Sequence, residues 1–476
     1  MTRLTRRTFA QLTASAVALA VSPRIVRAED DWRIGFRTAP ETFDAELTRL
    51  EGRLPSELSG SFYRIGPAQF ERGGERLGHW FDGDGMIQRF AIADGRVTHR
   101  GRFVDTPKRR AEKAAGRFLY TGYGFAPKNL TGIRAPDDLN AANTNVLPIA
   151  GEVWALWEGG SPYRIDAETL ATLGRKAFDG GLNGVAFSAH PKTEPSGDTW
   201  NFGVIGKRCV LWHLAPDGTT RKAKLIELPE ASLMHDFAIT ARHIVLLAPP
   251  LLRREGPAST LVDSYAWQPG KPLTALVLDK NTLEIVRRHE LPARFLYHIG
   301  NAWEDADGAI RLDACLDADA TFAVKTARDL ALGLAQAPLS ARPSLITLPP
   351  SGVGVIATLQ GVGEFPRIDP RRVGERHRIT HGVTEGGVAT WDWERGVSET
   401  YLHPPGTWSE EPVFVPRKGA MGERDGWLIQ TALDMRAGRT QLCIFDARRT
   451  TDGPIARLTC PYALPLGFHG TFVAAK

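Results

Sequence analysis

Apolar residues along this chain come in short runs, and turn-forming residues stop each one. Ser61-Phe62-Tyr63-Arg64-Ile65 ends at Gly66-Pro67. The run from Met86 to Ile92 meets Ala93-Asp94-Gly95, and the chain resumes at Arg96-Val97-Thr98, a hairpin signal. Val153 to Trp157 runs into Glu158-Gly159-Gly160, Cys209 to Leu214 into Pro216-Asp217-Gly218, and Leu273 to Leu278 into Asp279-Lys280-Asn281; Leu442 to Asp446 is a further run. Helical periodicity is scarce, and Asp329–Gln336 is the best short candidate. Many short strands at regular spacing predict an all-β fold: sandwich, barrel or propeller. A length of 476 residues favours the propeller, which grows by adding blades. There is no strict repeat period, and Trp391-Asp392-Trp393 is a lone match to the WD signature.

Composition narrows the class without naming it. With 42% hydrophobic and 24% charged residues the chain is neither disordered nor a coiled coil nor collagen-like. Cys209, Cys315, Cys443 and Cys460 are too few for a disulfide framework, and without a C-x-x-C pair they give no thiolate zinc site. The formal charge of +5 belongs to the N-terminus. Residues 1–28 hold five Arg and no acidic residue, and the remainder balances at 54 basic and 54 acidic side chains. That balance gives no support for a nucleic-acid surface. Arg6-Arg7 before Phe9, the apolar stretch Ala10–Val21, Pro23 and the small-residue site Val26-Arg27-Ala28 read in order as a twin-arginine signal peptide. The expectation is an exported, periplasmic bacterial protein, with residues 29–476 as a single domain.

Several motifs match by letter only. Gly352-x-Gly354-x-x-Ala357 lacks the helix a dinucleotide site needs. Asp82-Gly83-Asp84-Gly85 resembles a calcium loop, but its twelfth position is Ala93 where a bidentate Glu would be required. It reads instead as tight turns between strands. Of the twelve histidines, His99, His243, His289, His377 and His403 sit beside Arg, Pro or loop residues, as ordinary hydrogen-bonded histidines do. His190, His235, His298 and His469 differ: each stands at an apolar strand edge beside small or turn residues. Their spacings of 45, 63 and 171 residues are useless for a local metal loop. They suit a propeller, whose inner strands all approach one axis.

These segments, taken together and in order, resemble the carotenoid cleavage oxygenase family. The matching stretches include Gly60 to Pro67, His79-Trp80-Phe81-Asp82-Gly83-Asp84-Gly85-Met86, Ala142-Asn143-Thr144-Asn145-Val146 and Leu156-Trp157-Glu158-Gly159-Gly160. The four histidine segments, Glu364-Phe365-Pro366-Arg367 and Glu411-Pro412-Val413-Phe414-Val415-Pro416-Arg417 complete the set. The resemblance implies a seven-bladed β-propeller whose loops and short helices form a dome over one ferrous iron. It implies His190, His235, His298 and His469 as ligands, backed by Glu158, Glu364 and Glu411. Imidazole alone does not select a metal. Carboxylates that accept the outer N–H fix each ring's tautomer and add negative charge around the ion. Thr144 resembles the small residue that blocks one coordination position; a strand-end hydrogen bond explains it equally well. His79 belongs to a structural motif and is left out of the ligand set.

The implied reaction is oxygenative cleavage of a carbon–carbon double bond by Fe(II) and O2, giving two carbonyl products from an apolar polyene. Stilbene-cleaving relatives tend to carry Lys before the first Glu, whereas Trp157 stands here, which favours a carotenoid or apocarotenoid; plain core packing accounts for Trp157 as well. A stilbene-cleaving dioxygenase and a retinoid-type isomerase remain open on the same scaffold, as does a non-catalytic periplasmic polyene-binding propeller. Pro249-Pro250-Leu251-Leu252, followed by Arg253-Arg254, resembles the apolar lip with which family members graze a bilayer. A loop packed on its own protein would look the same.

Overall fold

Strands dominate the computed structural model, which describes residues 31–336 and 338–475. They form seven antiparallel sheets arranged as the blades of a propeller, plus two short ribbons. The sequence-level runs become blade strands nearly intact. Ser61–Ile65 lies in Gly60–Pro67, Met86–Ile92 in Gly85–Ala93, Cys209–Leu214 in Arg208–Leu214 and Leu273–Leu278 in Leu273–Asp279. The expected signal peptide, residues 1–28, lies outside the described residues.

Blade one is built from both halves of the chain. Gly470–Ala474 pairs with Gly60–Pro67, which is followed outward by Gly85–Ala93, Arg96–Phe103 and Thr42–Glu46. Blade seven repeats the device: its outer strand Thr48–Gly52 pairs with Ala456–Thr459. The intervening blades follow chain order. Their inner edge strands are Asn145–Ile149, Lys192–Thr193, Phe237–Ile239, Phe295–Glu304 and Glu364–Arg367 for blades two to six. Inner strands of neighbouring blades touch, as Phe237–Ile239 touches Phe295–Glu304 and as the latter touches Glu364–Arg367. They therefore surround the axis.

Each junction between blades has its own apolar filling, and this explains why the central runs are continuous rather than alternating. In His243–Ala248, Ile244 and Leu246 point to blade three beside Phe202 and Leu211. Val245 and Leu247 point the other way, to blade five beside Leu312 and Ile346. A strand buried on both faces reads as one hydrophobic run. Burial of each such side chain contributes roughly 1.5–3 kcal/mol.

Non-blade segments gather at the histidine end. A 3-10 turn at Trp32–Phe36, another at Trp80–Asp82 and a helix at Ala327–Ala331 pack with Phe70, Leu466 and Phe468. A π-turn at Phe322–Thr326 contributes to a second cluster with Leu251, Phe295 and Tyr297. This is the expected dome, with two corrections. The short helix lies at Ala327–Ala331, a little before Asp329–Gln336, because it continues the π-turn rather than starting from its own cap. Pro249–Leu252 is no exposed lip: all four residues are buried. Ser232 Oγ donates to Pro249 O at 2.6 Å, and Leu251 is wholly buried in the strand Leu251–Arg253. The apolar run continues past its blade strand because the ribbon that follows is packed under the dome.

Candidate metal centre

Four imidazoles meet on the axis. One nitrogen from each of His190, His235, His298 and His469 lies within 4.8 Å of the others. Ring centroids are 4.3 Å apart for His190 and His235, 4.7 Å for His190 and His469, and 4.8 Å for His298 and His469. An ion with bonds of about 2.1 Å would close this ring with small inward shifts. Each histidine is delivered by a different blade. His190 and His235 precede the inner strands of blades three and four, and His469 precedes Gly470–Ala474 in blade one. His298 lies within the inner strand of blade five, where the pairing register slips between Leu296 and Ile299. Such a bulge re-aims a side chain.

Three of the four rings are held from outside by carboxylates. His469 Nδ1 lies 2.8 Å from Glu411 Oε1, His298 Nδ1 lies 2.5 Å from Glu364 Oε2, and His235 Nδ1 lies 2.5 Å from Glu158 Oε1. Engaging Nδ1 this way leaves Nε2 for the centre. Among the described residues His190 has no such partner; Asp236 Oδ2 is 4.0 Å from its Nδ1, beyond hydrogen-bond reach. Its Nε2 is buried with no hydrogen-bond partner, an uncompensated polar atom of the kind a metal ion satisfies.

Electrostatics fit a ligand set. Burial, reinforced by the neighbouring imidazoles, holds His190 well below its ordinary value. Burial also pushes His298 down to about 3, and His469 to about 4 despite Glu411. These three are neutral near pH 7, as metal binding requires. Burial opposes the charge on His235 too, but Glu158, joined by Asp236 and Glu364, more than offsets it and the net shift is upward. Burial pushes Glu364 up to about 7, whereas at Glu411 the charge of Arg367, with the hydrogen bond from His469 and the charge of Arg64, overcomes burial and pulls it down to about 2.

The remaining expected residues fall into place unevenly. Thr144 is buried just before the inner strand of blade two, and its Oγ1 donates to Asn143 Oδ1 at 2.9 Å, the strand-end hydrogen bond. Trp157 is half-buried, with its ring against Gly159 and Gly160, where an added Cβ would come within 3.0 Å and 3.2 Å of it. His79 spends both ring nitrogens locally: Nδ1 accepts from Phe81 N and Nε2 lies 3.0 Å from Ala323 O. The carboxylates of Asp82 and Asp84 are likewise used, the first by Tyr123 N and Gly124 N, the second by Lys108. All four cysteines are buried free thiols.

Sequence reasoning missed two aromatic rings at the centre. Tyr297 packs on His235 at 4.8 Å, and its hydroxyl, like that of Tyr123, is buried without a hydrogen-bond partner among the described residues. Phe365 stacks on His298 at 4.8 Å and meets His469 at 5.3 Å, with its backbone in the left-handed region at φ 53°. A bulky residue there is strained by roughly 1–3 kcal/mol. The signal for both was adjacency, since each neighbours a singled-out residue in sequence.

A seven-bladed propeller with a tetra-histidine cluster on its axis, three of its rings backed by glutamates, defines a candidate mononuclear non-haem metal protein. The comparisons with known proteins specify it further. The family model described as RPE65, retinal pigment epithelial membrane protein, matches residues 36–474. The chain is 30% identical to the apocarotenoid-15,15'-oxygenase of Synechocystis, covering 93% of this chain and 96% of that protein. It is 28% identical to lignostilbene-alpha,beta-dioxygenase isozyme III of Sphingomonas paucimobilis, covering 90% and 93%. The solved cobalt-substituted Synechocystis apocarotenoid oxygenase superposes with a TM-score of 0.82 at 27% identity, covering 94% of this chain and 98% of that one. The chain belongs to the RPE65/carotenoid cleavage oxygenase family.

Proposed function

We propose that this protein is a non-haem Fe(II) dioxygenase that cleaves a carbon–carbon double bond of a carotenoid or apocarotenoid. The observation that carries the reading is the convergence of His190, His235, His298 and His469 with Glu158, Glu364 and Glu411 behind three of them. Iron held there would supply dioxygen activation, and cleavage would place one oxygen atom in each of two carbonyl products. The chain's own residues do the rest. The glutamates hold the rings, and the dome over Phe468 and Tyr297 keeps bulk water out. Phe365 and Tyr297 offer aromatic faces beside the ligands against which a polyene can lie. Thr144 would narrow the approach from blade two, and Trp157 would wall the substrate side.

A second reading, cleavage of a phenolic stilbene, has one observation in its favour: the unsatisfied hydroxyls of Tyr123 and Tyr297 could bind a phenol oxygen. Incubation of the iron-loaded protein with carotenoids, apocarotenoids and stilbenes under heavy-isotope dioxygen separates the readings. Labelled aldehydes from a polyene are expected. Turnover confined to stilbenes would move the assignment to the second reading, an isomerised but intact skeleton would indicate a retinoid-type isomerase, and a bound, unchanged polyene would indicate a binding protein.

The carboxylates give a further expectation. Glu364→Gln should weaken iron binding by about 10–100-fold, measured by chelator competition. Glu158→Gln should cost less, because the Glu158 side chain is 36% exposed against 11% for Glu364. We also propose that residues 1–28 direct twin-arginine export to the periplasm, supported by Arg6-Arg7 and the apolar stretch and cleavage site that follow.

A further inference from the structure

We infer that Asp236, paired with Lys192, is a positioning residue that locks three metal-binding segments into one frame and serves as the anchor that His190 otherwise lacks. The inference rests on the metal centre proposed above. Asp236 follows His235 directly and is 3% exposed. Its Oδ1 accepts from Phe237 N at 2.7 Å, within blade four, and pairs with Lys192 Nζ at 2.8 Å, in blade three. Its Oδ2 accepts from Ile299 N at 2.8 Å, in blade five. Lys192 is two residues past His190, and Ile299 is one past His298. A single carboxylate thus ties together the backbones that carry three of the four imidazoles.

The arrangement answers a gap in the site. His235, His298 and His469 each have a glutamate at the outer nitrogen, and His190 has none. The chain before His190 is fastened elsewhere, by Asn145 Nδ2 to Ala189 O at 2.7 Å and Asn201 Nδ2 to Ser188 O at 2.8 Å. After His190, the inner strand of blade three is only Lys192–Thr193. That strand is too short to fix the ring by pairing alone, and the Lys192–Asp236 ion pair fastens it to the neighbouring blade. Geometry held this way is transmitted to the ligands through the backbone, so removing it should loosen the metal rather than unfold the blade.

The test uses the full chain loaded with cobalt(II), whose visible ligand-field bands report coordination geometry. Lys192→Met and, independently, Asp236→Asn should release cobalt to a chelator at least about tenfold faster than wild type and shift those bands. Lys192→Arg should restore both. Lys280→Met is the control: Lys280 Nζ pairs with Glu194 Oε1 at 2.6 Å, linking the same two blades away from the histidines. It should leave bands and release unchanged even where it lowers the melting temperature of the metal-free protein. Wild-type-like bands and release in both Lys192→Met and Asp236→Asn would overturn the positioning role, as would a Lys280→Met variant that reproduced the shift. A wild-type chain that takes up no cobalt would overturn the metal centre itself, and this inference with it.

Discussion

His190→Ala is expected to abolish both iron retention and turnover, while His213→Ala leaves both at wild-type levels. His190 touches every other member of the cluster, with ring centroids 4.3 Å from His235, 5.3 Å from His298 and 4.7 Å from His469. Deleting it leaves three imidazoles and a void on one side of the ion. His213 is chemically the same side chain in a different setting. Its ring stacks on Trp200 at 4.0 Å, and Nε2 lies 2.8 Å from Asp198 Oδ2. Losing those contacts costs about 1 kcal/mol of stability and nothing at the axis. Iron content after gel filtration, measured beside product formation, reads both variants. Retained iron and turnover in His190→Ala would refute the ligand assignment.

Arg64→Ala carries the largest expected loss of stability, about 3–5 kcal/mol, together with weakened iron retention. Arg64 is 3% exposed in the strand Gly60–Pro67. Its guanidinium donates to Glu410 Oε1 at 3.2 Å, to Glu411 O at 3.1 Å and to Phe468 O at 3.2 Å. One side chain therefore pins the segment carrying Glu411 and the segment carrying His469 to the first blade. Without it Glu410 is left buried and short of a cation, and the Glu411–His469 pair loses its frame. Urea unfolding of the metal-free protein gives the stability loss. Chelator competition on the loaded protein gives the second effect, and an unchanged urea midpoint would contradict the argument.

The blades were legible in the sequence because both faces of their central strands are buried. Ile244 to Leu247 had to read as one apolar run, and the turn residues after each run marked its end. At Pro249–Leu252 the continued apolar character left an exposed lip and a packed loop open alike, and the structure has the second, a ribbon buried under the dome. The four histidines stood out by their strand-edge context, and the family resemblance joined them to their glutamates. What was not legible were contacts that depend on the crossing of blades. Asp236 reads as an ordinary residue after His235; only the fold shows it reaching Lys192 and Ile299. Phe365 reads as a core aromatic, and nothing in its letter indicates a left-handed backbone wedged between two ligands.

Blade one, stitched from segments some four hundred positions apart, sets the order of biosynthetic events. His469 directly precedes Gly470–Ala474, the strand that completes the circle, so the fourth imidazole joins the other three only as the ring of blades closes. Any partly synthesised product would be an open arc of blades with exposed apolar flanks, a natural client for chaperones and proteases rather than a slow enzyme.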